Sequence, residues 1–159
     1  MRLMFAFMWK DVNSLKIVEK HIQKLYGDFI LQSDIFQLPY SSYYIKEMGQ
    51  PLFKKFVLTD FTADELKLVG IKKHTDFIEK KFSIDGNRTV NIDPIIIDKD
   101  KVVVATRKFR GNRIKVDKDV YMELELWYHN KSFQPFPWTY LDYKENIPFF
   151  NKAKRMLKQ

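Results

Sequence analysis

Residues 88–97 read RTVNIDPIII, and the chain on either side of them decides the fold. The two-residue period of a strand sets Thr89, Asn91 and Asp93 on one face and Val90 and Ile92 on the other. DKDK at 98–101 then turns the chain and VVVATRKF at 102–109 runs back, a hairpin signal. Gly111-Asn112 turns it again, and after RIKV the stretch VYMELELWY at 120–128 alternates most clearly. Val120, Met122, Leu124, Leu126 and Tyr128 are expected on one face, with Tyr121, Glu123, Glu125, Trp127 and His129 on the other. Pro94 has no N–H, which predicts an edge or a bulge at that point of its strand.

Upstream, MRLMFAFMWK reads as a central strand with apolar residues on both faces. A signal peptide is not expected, because Lys10 and Asp11 follow the run without a small-residue cleavage site. Asp11 to Ser14 offer cap residues for a helix with Leu15, Val18, Ile22 and Leu25 on its apolar stripe and Gly27 at its stop. A strand, FILQSDIFQL, and an irregular connection, LPYSSYYIKEMGQP, come next. The strand LFKKFVL leads to a second helix, for which Thr62 and Glu65 form a capping box and Leu66, Val69 or Gly70, Lys73 and Phe77 a face with Ile78 and Phe82 close by. Downstream, FQPFPW extends, and a last helix starts near Asn146 or Pro148.

The order βαββα, then a β-meander and a final helix, predicts an α+β fold. Its sheet is antiparallel-dominated and carries its helices on one face, and its first half is ferredoxin-like. The length of 159 residues and 45% hydrophobic content predict a single domain over residues 1–159. Cysteine is absent, which excludes a disulfide framework, thiolate zinc and a cysteine nucleophile and fits a cytoplasmic location. No apolar run approaches the roughly 18 residues of a membrane span, so no membrane partner is expected. The net charge is +8, half of it in residues 144–159, where Lys144, Lys152, Lys154, Arg155 and Lys158 face Glu145 alone.

Three constellations could carry chemistry. Glu123 and Glu125 with Asn91 and Asp93 could bind a divalent ion such as Mg²⁺ or act as acid and base, or else pair with basic neighbours across an exposed face. TRKFRGNR at 106–113 gathers Arg107, Lys108, Arg110 and Arg113, which suits a phosphate, a nucleotide or an RNA backbone, or a solvated hairpin tip. YSSYY at 40–44 and WTYLDY at 138–143 could stack on bases, line a pocket, or pack the edges of the core. There is no GxxxxGK[ST], GxGxxG or GxSxG, and His21, His74 and His129 lack HExxH spacing. No catalytic residue and no metal ligand is assigned, and the enzyme question stays open.

YYIKEMGQPL, VNIDP, KVVVATRK, NRI, VYMELEL and PWTYLDYK together resemble an uncharacterised prokaryotic family, the domain of unknown function number forty-four sixteen. The likeness runs in order along nearly the whole chain, and some members carry the label GTP-binding protein. It implies that Tyr43, Tyr44, Glu47, Met48, Gly49, Asn91, Asp93, Pro94, Thr106, Lys108, Arg113, Glu123, Trp138, Thr139, Tyr140, Asp142 and Tyr143 occupy motif positions. Ile95-Ile96, Asn112 and Leu141 stand where the family has Gly-Tyr, His and Pro, and Glu125 is particular to this chain. A shared site is what polar motif residues outside caps and turns imply.

The expected function is binding of an anionic small molecule, a nucleotide or another phosphate-bearing ligand, in a sheet-face cleft. Its residues are Tyr44, Glu47, Asn91, Asp93, Thr106, Lys108, Arg113, Glu123, Trp138, Tyr140 and Asp142. Lys108 and Arg113 hold the anion, Tyr44 and Trp138 wall the pocket, and Asn91, Asp93 and Glu123 take Mg²⁺ or the sugar or base. The alternatives are an RNA or single-strand binding module, a metal-dependent phosphoesterase, and an interaction protein without a ligand.

Overall fold

The computed structural model describes residues 1–39 and 42–157, without the Ser42 side chain. Tyr40 and Ser41 of the first aromatic segment, and Lys158 of the basic C-terminus, lie outside the described residues. The chain runs β1 (Arg2–Trp9), α1 (Val12–Tyr26), β2 (Phe29–Gln32), β3 (Phe36–Gln37), α2 (Ser42–Met48), β4 (Phe53–Thr62) and α3 (Glu65–Lys81). It continues β5 (Val90–Ile97), β6 (Lys101–Thr106), β7 (Ile114–Asp117), β8 (Val120–His129), β9 (Ser132–Pro135), α4 (Leu141–Glu145) and α5 (Ile147–Met156). The strands form one sheet in the order β2-β4-β1-β5-β6-β8-β7, with β3 on β4 and β9 on β8, and every pairing is antiparallel. The fold is therefore α+β with a meander and a C-terminal helix.

Strand β1 lies between β4 and β5, which is why an unbroken apolar run suits it: Leu3 to Trp9 are all buried. Leu3, Phe5, Phe7 and Trp9 pack under α1 and α3 with Leu15, Val18, Ile22, Leu68, Ile71 and Ile78. Met4 and Ala6 face the other way, onto Phe56, Leu58, Phe133, Tyr143, Phe150 and Ala153. Helices thus cover both faces, not one as the sequence predicts. The Phe150 and Ala153 stripe of α5 has to be buried, and α1 and α3 already fill the first face.

Asp11 caps α1 by accepting from the Ser14 N–H at 3.0 Å, and Gly27 closes it at φ +80°. Leu25, expected inside, is exposed, and Tyr26 takes the buried position. At α3 the cap is Asp64, which accepts from the Lys67 N–H at 2.9 Å. Thr62 cannot cap because β4 runs through it, paired with Arg2. Asp64→Ala is expected to cost about 1 kcal/mol in urea unfolding and Thr62→Ala clearly less; a larger loss for Thr62→Ala would place the cap at Thr62.

The apolar face predicted for α3 is also corrected: Leu66 is 87% and Phe77 63% exposed. Leu68, Ile71, Lys72, Thr75 and Glu79 are buried instead, together with Ile78, expected close by that face. Two charged residues on the inward face defeat the periodicity argument. FILQSDIFQL splits into β2 and β3, both on β4. Ser33 sits at the break, where its hydroxyl accepts from the Phe56 N–H at 2.9 Å. The connection after it contains α2, whose Met48 packs with Met8 and Leu52.

Two irregularities shape the sheet. On β8, Val103 pairs with Leu124 and Val102 with Leu126, so Glu125 is a bulge with no partner of its own. Beyond it Leu126 joins the face of Glu123, whereas Met122 and Leu124 pack with the α1 and α3 face, so the even alternation expected of VYMELELWY fails at Glu125. On β5, the ladder to β6 ends at Ile95 while the ladder to β1 continues to Val90. The Ile92 N–H on that unladdered edge donates to Glu79 Oε2 at 2.7 Å. The next residue facing the same edge is Pro94, which has nothing to donate.

Candidate functional site

Asn91 and Asp93 stand opposite Met8 and Ala6 on β1, which puts them on the sheet face covered by α2 and by α4 with α5. On β4, Lys54 pairs with Met8 on that same face. The strand-face reading of NIDP is therefore right, and the partners of its polar residues can be named.

Asn91 accepts from Arg88 Nη1 at 2.8 Å and donates to Asp93 Oδ2 at 3.1 Å. Arg88 also forks onto Glu47, with Nε to Oε2 and Nη2 to Oε1 both at 2.9 Å. These bonds from Arg88 hold the Glu47 carboxyl below the usual range. Asp93 meets neither Lys108 nor Arg113 as an ion pair; its nearest cation is Lys72 at 3.9 Å, and its side chain stays 27% exposed. Lys72, also 3.1 Å from Asp76, and Glu79 reach from α3 to the opened edge of β5. Burial pushes Glu79 up to about 7 despite Lys72, the Ile92 N–H and Arg88.

A second network lies on β7 and β8. Arg113 donates from Nε to Glu123 Oε2 at 2.6 Å, from Nη1 to the Lys108 carbonyl at 2.7 Å, and from Nη2 to Tyr140 Oη at 2.7 Å. Asn112 adds a bond to Glu123 Oε2 at 2.9 Å. Glu123 and Glu125 are both fully buried, and the Oε1 atom of each has no hydrogen-bond donor. Burial, and then Glu123 beside it, push Glu125 up to about 9. Asp142 pairs with Lys54, whose ammonium stands above the usual lysine range because Asp142 and Asp93 outweigh the burial that opposes it.

The outer layer is cations on tyrosine rings. Lys108 Nζ lies 3.5 Å from the ring centre of Tyr43, 5.0 Å from that of Tyr44 and 3.5 Å from Tyr44 Oη. Arg110 lies over Tyr140 at 5.1 Å and Arg88 over Tyr44 at 5.7 Å. Burial, followed by Asp93, raises the Tyr44 phenol. Thr106 fixes the start of the loop by accepting from the Lys108 N–H at 3.2 Å. Among the described residues neither Lys108 nor Arg110 forms an ion pair with a carboxylate.

The sequence candidates therefore split. Tyr44, Glu47, Asn91, Asp93, Thr106, Lys108, Arg113, Glu123, Tyr140 and Asp142 belong to these connected networks. Trp138 is engaged elsewhere: it donates to the Leu124 carbonyl at 2.8 Å and stacks on Phe136 at 4.7 Å. Arg113, expected to hold an anion, is committed to Glu123 and 1% exposed at its side chain. Of the residues expected to take Mg²⁺, Asn91 Oδ1 accepts from Arg88 and Glu123 Oε2 from Asn112 and Arg113, and Asn91 with Asp93 lies in the first network while Glu123 lies in the second. Among the described residues no three His, Asp or Glu side chains converge as metal ligands. Arg88, Lys54, Lys72 and Glu79 were missed, and for Lys72 and Glu79 no sequence signal separates them from an ordinary helix surface.

The family model described as Domain of unknown function (DUF4416) matches residues 1–156, and the chain belongs to that family. Comparison with curated proteins and with solved structures finds no match.

Proposed function

We propose that this member of the DUF4416 family binds a phosphate-bearing small molecule, of the nucleotide class, at the face built by Tyr43, Tyr44, Lys108, Arg110 and Tyr140. The observation that carries it is the pair of cations laid on tyrosine rings, neither of them in an ion pair with a carboxylate among the described residues. Structural lysines and arginines at such sites are normally paired; these present their charge to solvent beside aromatic walls. Lys108 and Arg110 would take the phosphate oxygens, and Asp93, held by Asn91, would meet hydroxyl or amino groups of the remainder. The phosphoesterase alternative draws no support from the donor set described above. A cytoplasmic location accords with the lack of cysteine, and the order β2-β4-β1-β5 supports a ferredoxin-like first half.

Titration calorimetry at low salt with pyrophosphate and nucleoside triphosphates tests the reading. Lys108→Ala and Arg110→Ala are each expected to weaken binding about tenfold, the weight of one charge-assisted hydrogen bond. Absence of binding at millimolar ligand, or variants that bind like the wild type, would sink it.

A second reading is favoured by one further observation. Phe109, between these two cations, is 72% exposed, and Tyr43 is 64% exposed, so stackable rings alternate with cations as in single-strand binders. A polynucleotide would then bind far more tightly than a mononucleotide, with a steep loss of affinity in salt.

A further inference from the structure

Glu123 and Glu125, two residues apart on β8, lie side by side in one buried place, each with an orphaned Oε1. Two ionised carboxylates so placed would repel one another without a donor between them. One proton satisfies both orphans: an acid O–H on one donates to the carboxylate of the other. We propose that Glu123 and Glu125 hold a single proton between them and that this pair positions Arg113 and, through it, Lys108 and Tyr140 for the anion.

The groups facing the pair agree with that assignment. Asn112 and Arg113 both donate to Glu123 Oε2, so Glu123 is the ionised member. Glu125 Oε2 receives only a long bond, 3.4 Å, from the Tyr140 N–H. Asp142 and Tyr143 of α4 and Lys54 of β4 are its other titratable neighbours; Asp142 adds negative charge on that side, and Lys54 is already paired to Asp142. With one proton the pair carries a single negative charge, which Arg113 balances. Arg113 is then free to spend its remaining donors on the Lys108 carbonyl and the Tyr140 hydroxyl. The loop bearing Lys108 and the wall at Tyr140 are tied to one guanidinium, and that guanidinium is tied to the pair.

The positioning half of the proposal rests on the anion-binding reading; the shared proton does not. The folded chain keeps a proton that an unfolded glutamate sheds, so Glu125 contributes stability that falls as pH rises from the ordinary glutamate range toward about 9. Infrared spectroscopy at neutral pH is expected to show a protonated carboxylic acid in the wild type that Glu125→Gln removes. Glu125→Gln is also expected to remove that fall in stability and to weaken pyrophosphate binding less than Glu123→Gln does, its amide N–H replacing the acid O–H. Glu123→Gln is expected to lose at least about tenfold in affinity. If Glu123→Gln does not fold, the Arg113 Nε–H resonance of the wild type must shift through the alkaline transition. No protonated acid at neutral pH, Glu125→Gln as damaging as Glu123→Gln, or an unmoved Arg113 resonance each overturns the proposal. A protonated acid without any pyrophosphate binding overturns the positioning role and the anion reading, and leaves the shared proton standing.

Discussion

Arg113→Met is expected to lower folding stability by about 3–5 kcal/mol in urea unfolding, among the largest effects of any single substitution in this chain. The guanidinium and the Glu123 carboxylate are 1% and 0% exposed at their side chains, so removing one leaves the other charged, buried and unpaired. The loss reaches further than the ion pair, since the Lys108 carbonyl and Tyr140 hydroxyl lose the same donor group. Arg113→Lys is expected to recover little, because an ammonium lacks the planar fork that reaches three acceptors at once. Replacing Arg113 and Glu123 together by Met and Leu tests the cause: recovery of most of the stability identifies the unpaired charge as the source, and a loss equal to the sum of the single changes refutes it.

Phe56→Ala is expected to cost a similar amount, about 3–5 kcal/mol, for a different reason. Its fully buried ring meets Tyr143 at 5.0 Å, Phe150 at 5.1 Å and Phe36 at 6.0 Å, so it is the point where β4 holds α4 and α5 to the sheet. Amide hydrogen exchange separates this from a general weakening. The amides of α5 should exchange faster in the variant by more than those of α1, which packs on the opposite face. Equal acceleration of both helices would show that the two faces unfold as one unit.

Much of the architecture was legible because local signals agreed with it. The apolar run of β1 announced a strand covered on both sides, Asp11 and Gly27 bracketed α1, and DKDK marked the β5–β6 hairpin. What failed did so where charge goes inside. Lys72 and Glu79 point inward from α3 because β5 and β6 part there and leave donors and charges to satisfy, and no pattern confined to one helix carries that information. The bulge at Glu125 was invisible for a related reason: a strand that alternates without fault in sequence gains its extra residue only against a partner. The candidate site was partly legible. Asn91, Asp93, Lys108, Arg113 and Glu123 do lie in connected networks, but which of them carry solvent-facing charge depends on distances between elements far apart in the chain.

The parting of β5 from β6 leaves a stretch of bare strand inside the sheet, where a strand from another molecule would find a ready template. Glu79 already occupies the Ile92 N–H, and Pro94 offers no hydrogen at the next step. Glu79 and Pro94 therefore leave that stretch without the free N–H groups a foreign strand would pair with, in the middle of the sheet rather than at its margin.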